Sequence, residues 1–172
     1  MKHCLVGQIE NSFNITDIND YFFNRVVGPL CNEYAKKWGP AFTSIPVKDP
    51  DDMVFEMTPF WVNYQNQHEY NPIHNHRGIF SFVIWMKIPT VFSEQCKLDN
   101  SSGSSKEVNS GFCFDYQDIF GGSKTFMYPL DPSYEGMMLF FPSKLRHYVN
   151  PYYNCDEQRI SISGNVVLKP KE

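Results

Sequence analysis

The sequence has no apolar run of the ~18 residues that a membrane span requires, and no apolar stretch ahead of a cleavage-like site near its start. Neither a signal peptide nor a membrane span is expected, and the reading is of a cytoplasmic protein. No C-x-x-C pair is present. The five cysteines (Cys4, Cys31, Cys96, Cys113, Cys155) are odd in number and widely spaced. That pattern is neither a disulfide framework nor a zinc ribbon, and it fits free, mostly buried thiols in a reducing compartment. Lysine and arginine total 15 against 19 acidic residues, a net charge of −4, and the basic residues are scattered. A binder of nucleic-acid phosphate needs them clustered, so no nucleic-acid partner is expected. No internal repeat is visible.

What is present is enough apolar material for one real core: 172 residues, 42% hydrophobic and 16% aromatic. A single domain spanning 1–172 and packed with Phe and Tyr follows. Residues 1–52 read as helical. Thr16 or Asp17 can cap a segment carrying Ile18, Tyr21, Phe22, Arg25 and Val26 at helical spacing. Gly28-Pro29 interrupts or kinks it, and LCNEYAKKWG continues to a stop at Gly39. Pro40, Pro46 and Pro50 mark a loop. From residue 53 to 168 the pattern changes to short β-branched and aromatic runs between Gly, Pro, Asn and Asp: FEMTPFWVNYQ, IFSFVIWMK, GFCFDY, KTFMY, GMMLFF, RHYVN and QRISISGNVVL. Seven or eight such strands after helices predict a mainly β protein, a double-sheet jelly roll with the N-terminal helices packed on a sheet. The stretch 99-DNSSGSSKEVNSG-111 offers almost nothing to bury and reads as a flexible surface loop insertion.

The segment 71-NPIHNHRG-78 places two of the five histidines one residue apart, just before an apolar strand. In a strand, residues i and i+2 face the same way with Cα atoms roughly 7 Å apart, so His74 and His76 can converge on one point. A metal ion is the commonest reason for such convergence. Further on, His147 follows an apolar strand and a Pro142-Ser143 turn. Twelve residues later Arg159, Ser161, Ser163 and Asn165 recur at period two, with Ile160, Ile162 and Val166 between them. One face of that strand is polar and the other apolar. An arginine with a serine at i+2 suits a bound carboxylate, because the guanidinium forks onto two oxygens and the hydroxyl adds a third bond.

An H-x-H pair, a distal histidine, and R-x-S about a dozen residues later resemble the non-haem iron, 2-oxoglutarate-dependent oxygenases. The phrasing is closest to a small phage and bacterial group of them. It runs from W-V-N at Trp61–Asn63, through N-P-x-H-x-H at Asn71–His76, to F-P-S-x-L-x-H at Phe141–His147 and R-I-S-I-S-x-N at Arg159–Asn165. The resemblance covers about residues 60 to 165. It implies a double-stranded β-helix, jelly-roll or cupin-like, that holds Fe(II) at its open end with three protein ligands on one face. By motif position the resemblance implies His74, His76 and His147 as the ligands. Arg159 would bind the far carboxylate of 2-oxoglutarate with help from Ser161, and Asn63 or Tyr64 would hold its other end. The implied reaction hydroxylates a substrate, either a peptidyl proline or a small molecule, using O₂ and releasing succinate and CO₂.

His76 stands where many relatives have a carboxylate, which leaves an all-histidine site one positive charge richer. Strand parity also allows a second register, in which Gly78 faces the metal as in halogenase-type sites that bind a halide. Pro72 favours the first, since its turn sets His74 at the strand's mouth. Two other classes share part of the pattern. A cupin-like three-histidine metalloenzyme that does not use 2-oxoglutarate gives no reason for Arg159 and Ser161. A non-catalytic jelly roll serving as a binding or structural part gives none for three convergent histidines. The 99–111 loop and the segment after it, with Tyr116, Phe120 and Tyr128, are candidates for a lid. His3 and His68 read as surface or loop residues, and Glu69 as a carboxylate poorly placed for the metal. The oligomeric state stays open, with a homodimer compatible.

Overall fold

The polar and apolar faces of the last strand set the architecture. The computed structural model describes residues 7–39, 53–103 and 108–171. Among them are ten strands: β1 (Asn11–Ile15), β2 (Met53–Met57), β3 (Phe60–Gln65), β4 (Asn71–His74), β5 (Phe80–Lys87), β6 (Gly111–Gln117), β7 (Ser123–Pro129), β8 (Met138–Pro142), β9 (Arg146–Val149) and β10 (Arg159–Pro170). They form two antiparallel sheets. One runs β1-β3-β10-β5-β8, with β2 paired to the far half of β10, and the other runs β4-β9-β6-β7. Facing sheets interleaved in this order make a double-stranded β-helix, as expected.

In β10, Val166 turns outward into a cluster with Phe60, Phe80 and Phe82, and Val27 and Cys31 of the N-terminal helical segment close over it. The helices therefore do pack on the sheet. The opposite face of the same sheet looks inward. Val83, Trp85 and Phe141 meet Phe112 and Phe114 of the second sheet there, in a second aromatic cluster. No helix among the described residues is long and apolar enough to cross a membrane.

The helical segment begins where the Asp17 carboxylate accepts the N–H groups of Phe22 (2.9 Å) and Phe23 (2.8 Å). Pro29 does not break it. A widened π turn, Phe23–Val27, runs directly into helix α1 (Gly28–Trp38) and makes room for the proline in the first turn. Gly39, at φ 69°, ends α1 as read from the sequence. The proline loop at 40–50, like His3 and Cys4, lies outside the described residues.

Three expectations are corrected. The N-terminal part is not wholly helical, because Asn11–Ile15 pairs in full register with β3. The fold also gains β4, a four-residue edge strand that tolerates Pro72 because an edge leaves N–H groups unused. The 99–111 segment is not a bare surface loop in its described parts. It contains a helical turn at Asp99–Ser102, and Ser101, Asn109 and Ser110 are all buried. Asn109 donates to the Gln95 carbonyl (3.0 Å), which fastens the segment to the body. The four described cysteines are free, with Cys31 and Cys113 buried.

Candidate metal centre and anion pocket

His74 ends β4 and His147 sits in β9, and the ladder between these strands pairs the two residues directly. Their ring centroids lie 4.3 Å apart, and the ring of His76 is 4.9 Å from one and 5.0 Å from the other. One nitrogen from each of the three falls within 4.8 Å of the others, with no carboxylate in the group. The convergence expected from the sequence is present, by a different route. The strand ends at His74, so His76 arrives from the connecting turn and not by strand parity.

That turn explains Gly78. Its φ is 107°, and a Cβ there would stand 2.5 Å from the Val166 carbonyl oxygen. The glycine is required by backbone conformation and close approach to β10. The alternative register, in which Gly78 faces a metal, finds no support in this geometry.

The imidazoles are prepared as neutral ligands. Nδ1 of His74 meets the Pro72 carbonyl at 2.7 Å, and Nδ1 of His147 meets the Leu145 carbonyl at 2.9 Å. A carbonyl only accepts, so each Nδ1 carries the proton and each Nε2 keeps its lone pair. Burial pushes all three pKa values below the ordinary range. His147 falls to about 4, through burial and then the charge of His74, and His76 to about 3, through burial and then the charges of His147 and His74. A metal binds the deprotonated ring, so this suits the role. The apolar wall is Phe112, Phe114 and Phe141, all within 6.4 Å of the His147 ring by centroids.

Arg159, at the start of β10, is 2% exposed. Its Nη2 donates to Ser110 Oγ at 2.6 Å, and its Nη1 has two long contacts of 3.4 Å, to Gln65 Oε1 and the Asn150 carbonyl. The guanidinium carbon lies 4.8 Å from the centroid of the Tyr152 ring, and Nε has no partner among the described residues. Burial lowers its pKa only to about 10, so it is a cation at neutral pH. No carboxylate pairs with it among the described ion pairs. A buried arginine with an idle N–H and no carboxylate among the described residues is costly unless an anion completes it.

The register sorts the remaining candidates. Asn63 of β3 stands opposite Ser161 of β10, and Gln65 opposite Arg159, so these four share the inward face. Asn63 is buried and accepts from Ser12 Oγ at 2.8 Å. Tyr64 is a correction. It points to the other face of β3, where its ring meets Phe13 at 6.0 Å between centroids, so it does not join Asn63. Glu69 is occupied elsewhere, accepting the N–H groups of Glu10 (2.9 Å) and Asn66 (2.7 Å). His68 is exposed and meets Tyr153 edge-on. Phe120 is 90% exposed at the β6–β7 turn and covers nothing in this conformation.

Sequence reasoning missed the partners of Arg159, namely Ser110, Gln65, the Asn150 carbonyl and Tyr152. Only the period-two polarity of FWVNYQ offered a signal, for Gln65 beside Asn63. Ser110 was hidden in a stretch whose composition reads as solvent-facing.

A family model described as "Putative 2OG-Fe(II) oxygenase" matches residues 59–165. Among solved structures, an oxidoreductase of the 2OG-Fe(II) oxygenase family from Burkholderia pseudomallei superposes with a TM-score of 0.53 at 12% identity over 87% of this chain. The chain spans 56% of the length of that protein, and at this identity the likeness speaks for the fold alone. A cupin domain from Bordetella pertussis Tohama I aligns over 70% of this chain and 98% of its own, at 12% identity and a TM-score of 0.33, too low to bear weight. No curated protein matches the chain in sequence at a significant level.

Proposed function

The chain belongs to the 2OG-Fe(II) oxygenase family, and on that premise we propose that it is an Fe(II)- and 2-oxoglutarate-dependent dioxygenase that hydroxylates a C–H bond of a small-molecule or peptidyl substrate. The observation that carries this reading is the buried Arg159, which has no carboxylate partner among the described residues, in a barrel that also brings three imidazoles together. The donor set fits the metal: Nε2 lone pairs of His74 and His147 are preset by their Nδ1 bonds, and His76 completes a face. The arginine fits the keto acid. Asn150, whose carbonyl marks the guanidinium, is three residues beyond His147 along extended chain, roughly 10 Å. An elongated dicarboxylate held at the metal by one end reaches that far.

Each residue then has a task. Arg159 receives the far carboxylate through Nε and Nη, and Ser110 and the Tyr152 ring keep the guanidinium flat and aimed. Asn63 and Ser161, on the same inward face, line the span between that pocket and the histidines. Phe112, Phe114 and Phe141 exclude water behind His147. When bound, Fe(II) would let O₂ act as the oxidant with 2-oxoglutarate as co-reductant, one oxygen atom going to the substrate and the other to succinate as CO₂ is lost.

A three-histidine metalloenzyme that uses no 2-oxoglutarate is the competing reading, and it leaves Arg159 unexplained. Succinate production from 2-oxoglutarate, with and without Fe(II), decides between them. Iron-dependent succinate that vanishes in His147→Ala and falls in Arg159→Lys supports the proposal. Iron binding without any turnover or binding of 2-oxoglutarate overturns it.

A further inference from the structure

His74 and His147 are each fixed twice, by a strand and by an Nδ1–H bond to the carbonyl two residues earlier. His76 has neither support, since it lies beyond the end of β4 and its ring nitrogens have no hydrogen-bond partner among the described residues. Its main chain does the work. The His76 N–H donates to the Ser143 carbonyl at 2.9 Å, and the Ser143 N–H donates to the Ile79 carbonyl at 2.9 Å. One residue thus staples both ends of the 76–79 turn.

Ser143 is itself held from behind. It is fully buried, and its hydroxyl meets that of Ser81 at 2.9 Å. The single proton of Ser81 goes to Asn165 Oδ1 at 2.7 Å, so the Ser143 hydroxyl must be the donor to Ser81. Ser81 and Asn165 are direct partners across the β5–β10 ladder. The chain of bonds therefore runs from the middle of the main sheet to the turn that carries His76.

We propose that Asn165, Ser81 and Ser143 are positioning residues that set His76 for the metal. The inference rests on the metal reading above and adds to it. Ser81 shares the inward face of its strand with Val83 and has Phe141 opposite it in the ladder, a setting where alanine would pack without a desolvation penalty. Buried hydroxyls linked in one direction specify a single arrangement of the strands they join. Here that arrangement fixes the one imidazole of the three without a ring-nitrogen hydrogen bond among the described residues, its ring resting against Trp61 at 6.0 Å between centroids.

The test is a double-mutant cycle read by Co(II) binding, which reports affinity and geometry through its visible bands. Ser143→Ala and Ser81→Ala are each expected to weaken Co(II) binding about tenfold and to alter the spectrum, as losses just outside a metal's ligands do. In a His76→Ala background the same substitutions should change the remaining, weaker affinity by less than about twofold, because the group they act through is gone. Equal losses in both backgrounds would overturn the proposal, showing that the chain only stabilises the sheets. Unchanged Co(II) affinity in folded Ser81→Ala and Ser143→Ala would overturn it as well. If Ser143→Ala does not fold, Ser81→Ala and Asn165→Ala interrogate the same bonds. Wild-type protein that binds no Co(II) or Fe(II) would instead remove the metal reading itself, a result distinct from either outcome.

Discussion

His74 and His147 are cross-strand partners that mirror each other. Each turns Nδ1 onto the carbonyl two residues before it, at 2.7 and 2.9 Å, and their rings stand 4.3 Å apart. Two short strands thereby deliver two imidazoles in one tautomer to one point before any ligand arrives. Replacing either should cost more than the 10- to 100-fold that removing a ligand's supporting partner costs. Equilibrium titration of Fe(II) into His147→Ala should show no tight binding while circular dichroism stays native. His76→Asp should keep the metal, since it restores the commoner two-histidine, one-carboxylate set. Undiminished affinity in His147→Ala would reject the ligand set.

Arg159→Lys keeps the charge but loses the fork. Calorimetry with 2-oxoglutarate should show binding weakened by roughly 1.5–3 kcal/mol, the scale of a charge-assisted hydrogen bond, with metal affinity nearly unchanged. Ser110→Ala, which frees Nη2 from its 2.6 Å partner, should cost about 1 kcal/mol in the same measurement. Equal 2-oxoglutarate affinity in all three proteins would place the carboxylate pocket elsewhere.

Much of the β core was legible because its strands carry dense aromatic and β-branched runs, and IFSFVIWMK or RISISGNVV can scarcely be anything else. β1 was not, because NSFNI turns Ser12 and Asn14 inward and keeps only Phe13 and Ile15 as apolar signal. The three histidines and Arg159 were readable from spacing and motif. Their means of convergence was not, because a turn set by Gly78 and Ser143 replaces the strand on which parity reasoning relied. Ser110 was missed for a related reason. A serine's burial depends on a partner 49 residues away, and local composition carries no trace of that.

Gly78→Ala should be among the most damaging single-methyl additions in the chain. It places a side chain at φ 107° against the Val166 carbonyl, a strain of about 1–3 kcal/mol. Denaturant melts should show that loss. Because the turn carries His76, Co(II) affinity should drop further than stability alone requires, whereas a mutation remote from the site with equal stability loss should leave it intact.

The metal-free protein should be acid-sensitive in a defined window. The folded imidazoles sit below 6.5, His147 at about 4 and His76 at about 3, while in the unfolded chain they protonate near their ordinary value of 6.5. Below pH 6.5 the unfolded state therefore binds more protons, so this stabilisation is complete above 6.5 and is lost as pH falls towards 4 and then 3. Urea melts of chelated protein at about pH 8, 6 and 5 should decline along that course. The slope should be shallower in His76→Gln, which has one fewer proton to take up. Equal slopes would mean the histidines are not held neutral by the fold.

The most direct test of the central claim is an anaerobic titration of 2-oxoglutarate into the Fe(II)-loaded protein, followed in the visible region. The keto acid chelating an iron held by His74, His76 and His147, with its far carboxylate on Arg159, should give a weak charge-transfer band that saturates. The band should be absent in His147→Ala and need markedly more 2-oxoglutarate in Arg159→Lys. Iron that binds tightly yet gives no band at any 2-oxoglutarate concentration would contradict the account, leaving a three-histidine metal site whose buried arginine serves some other anion.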